Sequence, residues 1–228
     1  PIDVKRRVGF VGEKPFFYEW MTVEELIALV AYYRPREWDS KFCDHLIGVF
    51  RIPRGQKVGS MSKGQQAKVS LLLAMAFNPD LLILDEPTGG LDPGTRRDFI
   101  KKLLGEYTDA GKTVLISSHL IDEIAGLVDT VGIIENGALI YEGATGELLE
   151  RTKRIRLIYE GMEPPADVSL TGIVSEESEG RELRLVTREF EAERTKREAE
   201  ALGAAQVVVE DLPLEDAFIE LTKSLEGE

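Results

Sequence analysis

Leu81-Leu82-Ile83-Leu84 is apolar at every position and runs directly into Asp85-Glu86. A strand wetted on one face alternates apolar and polar side chains. A run that is apolar at each residue is expected of a strand covered on both faces, as in a parallel sheet flanked by helices. Two adjacent carboxylates at the end of such a strand need a reason. Val8 to Val11 and Thr113 to Ser117 read as further strands of this kind. Between them lie helix signals. Thr22 and Glu25 form a capping box that predicts a helix from Val23 to about Tyr33, and a second helical stretch at roughly 37–50 stops before Pro53. A third begins at Ser62, with Val69, Leu72, Leu73 and Ala76 at three- and four-residue spacing. Asp92-Pro93 combines an aspartate cap with proline at the first helical position, predicting a helix to about Glu106, and another helix is expected from about Ile121 to Val128.

Past this alternation the texture changes. Val131 to Ile134 and Leu139 to Tyr141 flank Asn136-Gly137, the residue pair that supplies the positive φ angles of a type I′ hairpin. Beyond Arg151, short strands are expected at 154–159, 173–175, 182–187 and 206–209, with helices at about 190–202 and 214–225. The expected fold class is therefore α/β, with a helical insert counted over about 22–78, followed by a small α+β domain. The expected domains are 1–150 and 151–228. The chain opens at Pro1 close to its first strand, and it reads as a piece of something longer.

Composition narrows the function. No run of eighteen apolar residues occurs, so membrane contact is expected only through a partner. The net charge of −13 argues against a surface that neutralises phosphate backbones, so no nucleic-acid partner is expected. The one cysteine, Cys43, can form neither an internal disulfide nor a cysteine metal site and reads as a small buried hydrophobe in a reducing compartment.

Three places carry chemistry. Ser60-Met61-Ser62-Lys63-Gly64-Gln65-Gln66 opens a helix, where unpaired amides suit a phosphate, Gly64 allows close approach, and Ser62 and Lys63 add a hydroxyl and a positive charge. Alone, it would more often be a plain serine-capped helix. Asp85 at its strand tip can hold magnesium through water, and Glu86 can polarise an attacking water. Ser117-Ser118-His119 ends the next strand, where a histidine can donate to a terminal phosphate.

In combination these residues resemble the ABC ATPase family over about residues 3–150. Met61 to Gln65 stands at its signature loop and Leu81 to Glu86 at its Walker B strand with the catalytic glutamate. Gly90-Leu91-Asp92 stands at its D-loop, His119 at its switch histidine and Val8 to Glu13 at the strand entering its Q-loop. The resemblance implies a P-loop-NTPase-like core that binds ATP and Mg2+. It makes Glu86 and His119 catalytic, Ser62, Lys63, Gly64, Gln65 and Asp92 nucleotide-binding, and Asp85 and Glu13 metal-associated. It further implies a head-to-tail homodimer of ATPase domains, a transmembrane permease partner and a cytoplasmic location at the inner face of the membrane. Glu13 stands where the family usually has glutamine, and Lys63 replaces a signature glycine. Both changes, with the tail Leu214 to Leu221, resemble the branch that pairs with ABC-2 type exporter permeases. The aromatic run Phe16, Phe17, Tyr18 and Trp20 resembles the groove that receives the permease. The motif Gly-x-x-x-x-Gly-Lys-[Ser/Thr], whose amides and lysine cradle phosphates, is absent from the sequence. The chain by itself is therefore expected to be inactive, and the competing expectation is a degenerate ABC-fold protein that binds or regulates.

Overall fold

A computed structural model describes residues 2–89, 96, 100–102, 105, 107, 108, 111–160, 164, 165 and 168–223. The D-loop residues Gly90, Leu91 and Asp92, and most of the helix expected after them, lie outside the described residues. The chain divides into two compact units, Pro1–Ile124 and Ala125–Glu228.

The first unit is built on three parallel strands in the order β1 (Val8–Val11), β2 (Leu81–Asp85) and β3 (Thr113–Ser117). Their register sets Val11 beside Leu84 and Asp85 beside Ser117, so the carboxyl ends of the strands share one edge. Val11, Leu82 and Leu84 are buried on one face of this sheet. On the other, Phe10, Ile83 and Leu115 form a row in register in which Phe10 is 64% and Leu115 58% exposed. The run Leu81 to Leu84 is thus half covered among the described residues rather than buried on both faces.

Helix α1 (Ile2–Arg7) precedes β1; its sequence has no buried residue and no periodic apolar signal, and it was not anticipated. Helices α2 (Val23–Tyr33), α3 (Ser40–Phe50) and α4 (Lys63–Met75) form the insert. The Thr22–Glu25 capping box is formed on both sides. Helix α3 starts later than expected because Asp39 caps it, accepting from the Phe42 amide. Val23, Leu26, Cys43, Leu46, Phe50, Val69, Leu72 and Met75 are buried in this unit. Burial pushes the Cys43 thiol up to about 11, so it behaves as the expected small hydrophobe. Arg54 ties α2 to α3 by pairing with Glu24 at 2.8 Å and with Asp44. Gly9 is where the sheet meets α4: a Cβ there would stand 2.5 Å from the Ala74 carbonyl oxygen.

In the second unit β4 (Thr130–Glu135) and β5 (Ala138–Ala144) form the expected hairpin, with φ of 49° at Asn136 and 78° at Gly137. Helix α5 (Ile121–Ile124) ends the first unit earlier than expected, and α6 (Thr145–Arg151) follows the hairpin. Strands β6 (Lys153–Ile158), β7 (Ile173–Glu179), β8 (Glu182–Thr187) and β9 (Gln206–Asp211) make an antiparallel sheet ordered β7-β8-β6-β9. Ile155, Leu157, Leu183 and Leu185 pack with Ala199 of α7 (Ala192–Ala201). Val186 packs with Leu212 and with Ala217 of α8 (Leu214–Lys223). Arg156 bridges strands by binding Glu182 at 2.6 Å and Glu210 at 2.9 Å.

Replacing Gly9 with alanine is expected to destabilise the first unit by about 1–3 kcal/mol, because backbone and not a flexible side chain must move; chemical denaturation of wild type and variant measures it. The Arg156 and Arg184 guanidiniums hold the Glu182 carboxyl down to about 2, from an ordinary 4.5. Its stabilising contribution is therefore complete above the unfolded value and lost as pH falls through the folded one. Glu182→Gln should lower the denaturation midpoint at neutral pH, and its gap from wild type should close between pH 4.5 and about 2.

Candidate functional site

The carboxyl ends of β2 and β3 bring four polar side chains together. Ser117, paired with Asp85 in the parallel register, donates its hydroxyl to Asp85 Oδ1 at 2.6 Å. The same hydroxyl oxygen and the Ser117 carbonyl both accept from the Glu86 amide at 3.2 Å. Glu86 itself takes a left-handed conformation, φ 46°, and its carbonyl accepts from the Gly89 amide at 3.0 Å. The chain thereby turns at the strand tip.

That turn carries the Glu86 carboxylate towards the end of β3. Glu86 Oε1 accepts from the His119 amide at 2.9 Å and lies 2.8 Å from His119 Nδ1. Glu86 Oε2 is buried and has no hydrogen-bond partner among the described residues. A carboxylate oxygen in that condition has two lone pairs to offer, and a polarised water is a suitable partner. His119 is 73% exposed, so its Nε2 edge remains open to a ligand. If Nδ1–H donates to an ionised Glu86, a neutral ring leaves Nε2 as an acceptor; to donate to a phosphate oxygen from Nε2 the ring must be protonated.

The magnesium question turns on the donor set. Asp85 is exposed, with one oxygen committed to Ser117. Glu13 is exposed just past β1, at the same edge of the sheet as Asp85. No three His, Cys, Asp or Glu side chains gather as a metal cage among the described residues. Asp85 and Glu13 are two exposed carboxylates, and magnesium is typically held by one or two carboxylates with waters and substrate phosphates.

The signature residues are built differently. Ser62 caps α4 and accepts from the Gln65 amide at 3.3 Å, while Gln65 Oε1 accepts from the Ser62 amide at 2.9 Å. Gln66 anchors the turn before the helix by donating to the Val58 carbonyl at 3.1 Å. The Ser62 hydroxyl accepts in this box, so its own proton stays available to a phosphate oxygen. Lys63 and Gly64 form the first turn of α4. None of these residues shares a hydrogen bond with Glu86 or His119; the structure groups Asp85, Glu86, Ser117 and His119, and sets Ser62 to Gln65 at another helix end. Ser117 is the member that residue type and spacing do not single out, since it stands only as part of the run before His119. Its position opposite Asp85 was recoverable only from strand register.

Comparison with known proteins agrees with the motifs. Residues 2–89 match the family described as ABC transporter. The uncharacterized ABC transporter ATP-binding protein YcbN of Bacillus subtilis is 31% identical over 96% of this chain and 68% of its own length. ABC transporter ATP-binding protein NatA of Bacillus subtilis is 34% identical over 70% of this chain and 66% of its own. Among solved structures, the ATP binding subunit of an ABC transporter superposes with a TM-score of 0.55 at 26% identity, over 64% of this chain and 62% of that one. The chain spans between 45% and 68% of the length of the first curated relatives it matches. On the matched family, the YcbN relative and the shared α/β fold, the chain belongs to the ABC transporter ATP-binding proteins.

Proposed function

We propose that this chain supplies the γ-phosphate-acting portion of an ATPase subunit that drives a transporter, with residues 1–150 as its ATPase domain and 151–228 as an accessory domain. The observation that carries the reading is the Glu86 carboxylate, with Oε1 engaged by His119 and Oε2 buried and unpartnered at the strand tip beside Asp85.

In the proposed reaction Glu86 Oε2 orients water for in-line attack on the γ-phosphate and takes up its proton. Asp85 and Glu13 are the residues that would hold magnesium, which would supply stabilisation of the developing charge. His119 places its Nε2 edge on a γ-phosphate oxygen, and Ser117 holds the Asp85 carboxylate and the Glu86 backbone in place. Ser62, Lys63, Gly64, Gln65 and Asp92 would meet the nucleotide of a second subunit across a head-to-tail homodimer. The sequence contains no Gly-x-x-x-x-Gly-Lys-[Ser/Thr] loop. In this proposal another segment supplies the phosphate cradle. That absence is also what favours the second reading, a degenerate ABC-fold protein with a binding or regulatory role.

The proposed partner is a transmembrane permease; no described helix is itself long and apolar enough to cross a membrane. Phe16, Tyr18 and Trp20 support this: they are exposed and touch one another, with centroids 6.1 and 6.0 Å apart, as a ready contact surface. Lys63, Glu13 and the Leu214 to Leu221 tail favour export over import. Location at the cytoplasmic face of the membrane follows from the same reading.

In the full-length protein assembled with its permease, Glu86→Gln should lower ATP turnover by about 100-fold or more while ATP binding persists; hydrolysis at the wild-type rate would remove Glu86 from the base role. Ser117→Ala should cost about 10- to 100-fold in turnover through misplacement of Asp85 and Glu86. Ser117→Thr, which keeps the hydroxyl, should restore most of it, and steady-state assays of the pair distinguish positioning from general damage.

A further inference from the structure

The C-terminal unit contains a cleft of about 270 Å3 that has no part in the ATPase reading. Its apolar wall is made by Ile140 and Tyr141 of β5, Leu148 of α6 and Leu221 of α8. Thr152, which closes α6, also lines it; the residue is wholly buried, and its hydroxyl has no hydrogen-bond partner.

The charges around the cleft are balanced. Arg188 contributes a guanidinium that makes no ion pair among the described residues. Arg151 makes only a long, exposed contact of 3.5 Å with Glu147, a type of pair that contributes little. Glu147 and Glu189 bring two carboxylates to the same lining. A plain anion would meet both carboxylates, and a plain cation both guanidiniums. A molecule carrying one charge of each sign satisfies the set, with its carboxylate on an arginine fork, the geometry that guanidinium recognises best. The volume lies just under the range of about 300–1,000 Å3 usual for drug-sized ligands, which limits the occupant to a small metabolite.

We propose that this cleft binds an α-amino acid with an apolar side chain: carboxylate on Arg188, ammonium on Glu189, side chain against Leu148 and Leu221. The inference is independent of the ATPase assignment, since no residue of the β2–β3 site takes part.

The test titrates the chain with L-phenylalanine and L-leucine, following the Thr152 amide by NMR and the heat by calorimetry. The single-charge analogues 3-phenylpropionate and 2-phenylethylamine serve as controls. Saturable binding of an amino acid is expected, weakened at least about tenfold by removing either charge from the ligand or by Arg188→Ala. Arg188 is exposed, so its loss should leave the fold intact. Absence of saturable binding by both amino acids would overturn the site. Equal affinity for 3-phenylpropionate, or binding untouched by Arg188→Ala, would overturn the zwitterion assignment.

Discussion

The Ser117 hydroxyl, donating to Asp85 and accepting from the Glu86 amide, is the interaction on which the site depends. Two neighbouring carboxylates at a strand tip would repel each other and point to opposite faces of the strand if the backbone ran on extended. Instead the chain leaves the extended conformation at Glu86, whose positive φ costs roughly 1–2 kcal/mol for a residue with a Cβ. The Ser117 contacts, the Gly89 amide and the His119 amide offset that strain. The register of β2 with β3 is what puts Ser117 within reach, and the contact of α4 with Gly9 fixes β1 beside them.

Much of this was legible because it follows local rules. The Thr22 capping box, the helix that begins at Ser62, the Asn136-Gly137 hairpin and the strand at Leu81 to Leu84 are each specified by residues a few positions apart, and each formed. What escaped depends on pairings distant in sequence. The Ser117 contact with Asp85 and the His119 contact with Glu86 are separated by more than thirty residues, and neither spacing nor residue type says which hydroxyl faces which carboxylate. The uniform apolarity of Leu81 to Leu84 pointed to cover on both faces. The described residues cover one, leaving the Phe10–Ile83–Leu115 row more open than the sequence implied.

The distribution of polar groups also explains why the chain reads as part of a larger site. Helix α4 presents the signature residues in its cap and first turn, with Ser62 as the N-cap. Ser62 and Gln65 are locked to each other, and Glu86 to His119, with no hydrogen bond linking the two groups. A phosphate chain touched by both kinds of residue is most simply reached from two subunits, which is the arrangement proposed for the assembled transporter.

The central proposal is that Asp85, Glu86 and His119 act on the γ-phosphate while a segment outside this sequence supplies the cradle for the rest of the nucleotide. Equilibrium dialysis of ATP against the chain, with and without magnesium, tests it directly. No saturable binding in the micromolar range is predicted under either condition. Micromolar affinity would contradict the account, because Asp85, Glu86, His119 and the α4 N-terminus would then be sufficient to hold the nucleotide.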